Sequence, residues 1–123
     1  MDDLSDIPIG DLRMKSVMRV KTLYLHRESE EDKEKVRNLF AQAAALEEKI
    51  GDVLAEQDNW LATISWAEAG DCYKCAGDYD KAIMTYRKIL ISATKCPTRI
   101  PTSLVENTHQ RINELELFKK QLQ

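Results

Sequence analysis

The sequence predicts an all-α protein of five helices, and three observations carry that expectation. Only four glycines and three prolines occur in 123 residues, which leaves little material for many tight turns. Leu, Ala, Glu, Lys and Arg, the good helix formers, are abundant. Apolar residues recur at spacings of three and four, and no segment has the strict alternation of a half-buried strand. A chain of this length buries roughly two-thirds of its unfolded surface, so it needs neither disulfide nor metal to hold one core. Residues 11–123 are therefore expected to form a single helical domain behind a flexible lead-in, residues 1–10, that contains Pro8 and Gly10.

A first helix is expected over residues 11–26, with Met14, Val17, Met18, Val20, Leu23, Tyr24 and Leu25 apolar. These wrap around much of the helix, which implies burial on several sides or a partner that covers it. Ser29 with Asp32 resembles a capping box, and acidic residues there suit the positive end of a helix dipole. From that point Val36, Leu39, Phe40, Ala43, Leu46, Ile50, Val53 and Leu54 mark the clearest amphipathic helix, running to about Gln57 unless Gly51 kinks or ends it. Asp58 and Asn59 can start a third helix carrying Trp60, Ile64, Trp66, Ala69, Gly70 and Tyr73. Gly77 then allows a helix stop and Asp78 a cap for the fourth helix, whose stripe is Tyr79, Ala82, Ile83, Tyr86, Ile89, Leu90 and Ala93. Pro97 and Pro101 bound a short linker. Ser103 with Glu106 reads as the capping box of a last helix that places Leu104, Thr108, Ile112, Leu115, Phe118 and Leu122 on one face.

Charge and composition exclude several function classes. The net charge is -3, and the local cationic excess of Arg13, Lys15, Arg19, Lys21 and Arg27 spreads around its helix instead of forming a stripe. Nucleic acid is therefore not the expected partner. No apolar run approaches the roughly 18 residues that a membrane span requires, so membrane insertion is not expected. The acidic start, MDDLSD, lacks the basic region of an export signal, and an odd number of cysteines, three, fits a reducing cytoplasm.

The stretch WAEAGDCYKCAGDYDKA, Trp66 to Ala82, carries the most information. Trp66, Ala69, Gly70 and Tyr73, followed by Gly77, Asp78, Tyr79, Ala82 and Tyr86, resemble a tetratricopeptide repeat, whose pattern is W-x2-L-G-x2-Y…A-x3-F…P over 34 residues. Ala69 stands for the leucine, Tyr86 for the phenylalanine, and the proline arrives late, at Pro97, which implies a longer second helix. Gly70 and Ala82 are small where two helices cross; Trp66, Tyr73 and Tyr86 fill the space around that crossing. The resemblance covers about residues 63–96, with no second copy one period away, so the flanking helices are expected to act as degenerate repeats or caps. The polar residues Glu106, Asn107, Gln110, Arg111 and Asn113 suit a solvated cap, and Met84 and Ile91 are expected to meet it. The implied architecture is an α-α superhelix of antiparallel hairpins.

The resemblance further implies a groove lined by the first helix of each hairpin, which receives a peptide or helix of another protein. On this sequence the groove positions are Ile64, Ala67, Asp71, Lys74 and Cys75, with Glu68 nearby. Members that clamp a C-terminal carboxylate use Lys and Asn on this face. Ala67 and Asp71 stand there instead, so that clamp is not expected; Glu68 and Asp71 favour basic or amide groups and Ile64 an apolar anchor. The alternative is that one of the first two helices covers this face. A small dedicated chaperone or a self-associating subunit is a second reading, supported by the apolar first helix.

Cys72 and Cys75 raise a third reading, a zinc- or thiol-dependent domain that recruits Cys96 and His109. Structural zinc pairs usually sit on a tight knuckle, and a redox pair wants a strand before a helix N-terminus; neither surrounds these cysteines. Packing is the expected role of the thiols. His26 and His109 have no catalytic partner pattern, Glu28 to Glu34 and Glu47 with Glu48 read as solvated faces, and no phosphate-binding or nucleophile motif occurs. The expectation is a non-catalytic interaction module without cofactor.

Overall fold

In the computed structural model, residues 30–58, 60–96 and 99–122 are described. They form four helices: α1 (Glu30–Glu56), α2 (Ala62–Cys75), α3 (Tyr79–Lys95) and α4 (Thr102–Leu122). No strand occurs among the described residues, which are all-α. The lead-in, the helix expected over residues 11–26 and the Ser29 cap lie outside the described residues.

Each helix packs antiparallel to the next, as short connections require. Two layers result. Lys88 of α3 reaches Glu48 and Asp52 of α1, while Arg111 of α4 comes within 3.9 Å of Asp71 of α2. Thus α1 and α3 lie side by side in one layer, and α2 and α4 in the other. Between them sits a core of Ile50, Leu54, Trp66, Tyr73, Ile83, Tyr86, Ile89, Ile112 and Leu115.

Two glycines set the spacing of this core. A Cβ on Gly70 would lie within 3.0 Å of the Tyr86 ring, and one on Gly51 would lie 2.5 Å from the Trp66 indole. Each aromatic ring thus lies against a bare stretch of neighbouring helix. Gly51 does not end α1, which continues to Glu56. Its role is clearance for Trp66.

The α2–α3 turn follows from Gly77 and Asp78. Gly77 has φ +84°, a conformation that carries almost no penalty for glycine. Its N–H donates to the Lys74 carbonyl at 3.0 Å, and the Asp78 N–H donates to the Tyr73 carbonyl at 2.9 Å. This pair of bonds is a Schellman motif, which satisfies carbonyls that the helix end leaves open. Asp78 then caps α3 by accepting the Lys81 N–H at 3.2 Å.

Several expected details are corrected. Helix α2 begins at Ala62, not at Asp58, and Leu61 ahead of it supplies no side-chain cap. Asp58, with φ +53°, is used in the reversing turn after α1, and Trp60 stays in that turn, 48% exposed. Ser103 lies inside the first turn of α4, so it is not the cap that its spacing to Glu106 implied. Glu47 is buried, not on a solvated face, because α2 packs over its side of α1. Met84 and Ile91 do not meet α4; they are 64% and 56% exposed on the outer side of α3. Helix α4 instead reaches α3 through Phe118 on Tyr79 and through the ion pairs Arg87–Glu116 and Lys119–Asp80.

Candidate functional site

The groove positions follow from which sides of α2 are occupied. Trp66 and Tyr73 face α1, where Trp66 Nε1 donates to Asp52 at 3.0 Å and the Tyr73 hydroxyl to Glu48 at 2.7 Å. Lys88 of α3 joins the same two carboxylates at 2.7 and 3.0 Å and lies 5.9 Å from the Trp66 ring centre. Gly70 meets α3. What remains open is a stripe holding Ile64, Glu68, Asp71 and Cys75, at the three- and four-residue spacing of one helix face.

This stripe meets α4 at its C-terminal end. Lys74, Cys75, Tyr79, Glu114, Leu115 and Phe118 line a concavity of about 320 Å³ there. Tyr79 and Phe118 close its end edge-to-face, with ring centres 5.1 Å apart. Leu115 is buried at its base, and Lys74, Cys75 and Glu114 stand on its rim.

The structure separates the six predicted residues into three groups. Lys74 and Cys75 come together against α4. Ile64 and Glu68 are exposed further along α2, whereas Ala67 is half-buried against the core. Asp71 serves the fold, since its carboxylate accepts the Tyr86 hydroxyl and faces the Arg111 guanidinium, which also lies 5.9 Å from the Tyr86 ring. The resemblance to a single repeat did not reach Glu114, Leu115 and Phe118, which supply the opposite wall. Their signal in the sequence was the stripe from Leu104 to Leu122 that holds Leu115 and Phe118, with charges beside it, and that pattern also fits a plain cap. The polar residues Glu106, Asn107, Gln110 and Asn113 of α4 are exposed.

Cys72 is in surroundings that oppose thiolate formation. Cys72 is half-buried against the core, and burial, then Cys75, Glu47, Asp71 and Glu68, push its thiol from an ordinary 9.0 up to about 12. Such a thiol is a poor nucleophile and a poor metal ligand at neutral pH. Cys75 stands at the Gly77 end of the hairpin, whereas Cys96 follows the far end of the 17-residue α3. At 1.5 Å per residue that is about 25 Å away. No group of three or more His, Cys, Asp or Glu among the described residues is placed to hold a metal ion. Replacing Cys72 and Cys75 with serine is expected to retain the helical spectrum and to cost about 1 kcal/mol of stability through weaker packing. Thiol titration at pH 8 is expected to find Cys75 fast and Cys72 slow; equal rates would contradict the burial of Cys72.

Among the described residues no helix is long and apolar enough to cross a membrane. Comparison with protein-family models, curated proteins and solved structures finds no match in any of the three.

Proposed function

We propose that the chain is a non-catalytic protein–protein interaction module, an adaptor or scaffold that receives a peptide or helix of a partner between α2 and α4. The reading treats α2 and α3 as a tetratricopeptide-like hairpin and joins the four helices and residues 11–26 in one five-helix α-α superhelix. The observation that carries it is the concavity where the open stripe of α2 meets Glu114, Leu115 and Phe118 of α4. A pocket with an aromatic wall and a polar rim suits an anchoring side chain. With Asp71 matched by Arg111, Glu68 and Glu114 still outnumber Lys74 along this face, which favours a partner with an apolar anchor flanked by basic or amide groups.

Affinity capture from a lysate of the source cells tests this, comparing wild type with a Glu68→Lys, Glu114→Lys variant. Both positions are exposed, so the variant is expected to melt like wild type. A protein retained by wild type and lost by the variant is the expected outcome. Equal capture by both would move the site away from the groove. A second reading, a self-associating subunit or small dedicated chaperone, draws on exposed Met84 and Ile91 along α3. Recovery of the chain's own copies alone would favour it.

A further inference from the structure

A second cleft, of about 320 Å³, opens at the other end of the helices, where α1 ends, α2 begins and α3 ends. Trp66, Ala62 and Ile100 form a buried apolar floor, and Trp60 and Ile91, 48% and 56% exposed, stand on its walls. Its volume lies at the low end of the range for binding pockets, roughly 300–1,000 Å³, which fits one or two side chains.

The charges around this cleft are unequal. Lys88, Lys95, Arg99 and Asp58 line it. Lys88 is already neutralised by Glu48 and Asp52. Arg99 donates to the Asp58 backbone carbonyl at 3.3 Å, a neutral acceptor. Among the described residues neither Lys95 nor Arg99 has a carboxylate within ion-pairing distance. Among the described residues, two cations outside any ion pair, with Asp58 the acidic residue of the same lining, thus border an apolar hollow edged by an exposed tryptophan. Tryptophan and arginine are the residues most enriched where binding energy concentrates.

We propose that this cleft is a second docking site, distinct from the α2–α4 groove, for an acidic peptide segment of a partner protein. One aliphatic or aromatic side chain of that segment enters between Trp60 and Ile91, and its flanking carboxylates pair with Lys95 and Arg99. Charge complementarity selects this occupant: a basic segment would meet Lys95 and Arg99 as like charges, and an uncharged one would leave them without partners.

The chain's only two tryptophans, Trp60 and Trp66, both line the cleft, so intrinsic fluorescence reads occupancy directly. The probe is a tryptophan-free, acetylated and amidated peptide with one leucine between two pairs of glutamates, titrated to several millimolar. A saturable blue shift of emission is the expected result, as the leucine displaces water from Trp60. Lys95→Glu with Arg99→Glu is expected to weaken binding roughly fivefold or more, the scale of one or two exposed ion pairs. Lys95→Glu alone keeps the Arg99 bond to the loop and serves if the double variant melts early. No saturable shift overturns the proposal, as does equal binding of a lysine-flanked peptide or indifference to Lys95→Glu. Octanoate is the last arm: a shift with octanoate but not with the peptide would make the cleft a site for small amphipathic acids and overturn the peptide assignment.

Discussion

Replacing Gly70 with leucine is expected to lower the melting temperature by about 10 °C, the equivalent of roughly 2–3 kcal/mol in a chain of this size. The cause is local and geometric. Even a Cβ at this position would lie within 3.0 Å of the Tyr86 ring, closer than real contacts of that atom come. The ring has nowhere to go, because Tyr86 is almost fully buried and its hydroxyl is held by Asp71. Relief therefore requires α2 and α3 to separate, which opens the core between them and removes the Asp71–Tyr86 bond. Shrinking the partner supplies the check. Gly70→Ala combined with Tyr86→Leu is expected to be more stable than the sum of its single changes predicts, since the two side chains compete for one space. A wild-type melting curve for Gly70→Leu would end the close-crossing account of the hairpin.

Alkaline solution is expected to unfold the protein through several side chains at once. Burial, then a hydrogen bond to Glu48, pushes the Tyr73 phenol above its ordinary 10.0. Burial, then the bond to Asp71, does the same to Tyr86. Cys72 rises from 9.0 to about 12 for want of solvent and for its acidic neighbours. For Lys88, burial pulls down, but hydrogen bonds to Glu48 and Asp52 more than offset it and raise the ammonium above 10.5. All four groups hold their proton more tightly folded than unfolded. Below about pH 9 they are protonated in both states, and their contribution is fully present. As pH rises further the unfolded chain releases protons first, so stability falls from about pH 9 towards pH 12. Melting temperatures at pH 8, 9, 10 and 11 are expected to decline progressively. Tyr73→Phe with Tyr86→Phe is expected to flatten that decline, because phenylalanine has no proton to lose. A melting temperature constant from pH 8 to pH 11 would refute the polar network as described.

Both results depend on residues whose type, but not whose partner, was legible in the sequence. The spacing of Ile50, Leu54, Ile83, Tyr86 and Ile89 marks amphipathic helices because one face of a 3.6-residue repeat must leave water. Gly77 with Asp78 specifies the hairpin turn because only a glycine-like backbone accepts that conformation, and because an aspartate can cap the next helix. Such information is local, and a one-dimensional pattern carries it. From the same source came the all-α class, the α2–α3 hairpin and the polar outer face of α4.

The tertiary structure decided the pairings. Gly51 looked like a break and proved to be a seat for Trp66, a distinction that requires knowing what lies opposite it. Asp71 looked like a groove contact and is tied to Tyr86 and Arg111. Met84 and Ile91 were assigned to α4 by their chemistry, yet the side-by-side layers of α1 with α3 and α2 with α4 turn them outward. The walls of both clefts likewise come from helices distant in sequence, so neither hollow exists in any single segment. Periodicity says which face of a helix is apolar, whereas crossing geometry says which neighbour that face meets. Here that geometry is set by two glycines and by the hydrogen bonds that Trp66, Tyr73 and Tyr86 donate to carboxylates across the layers.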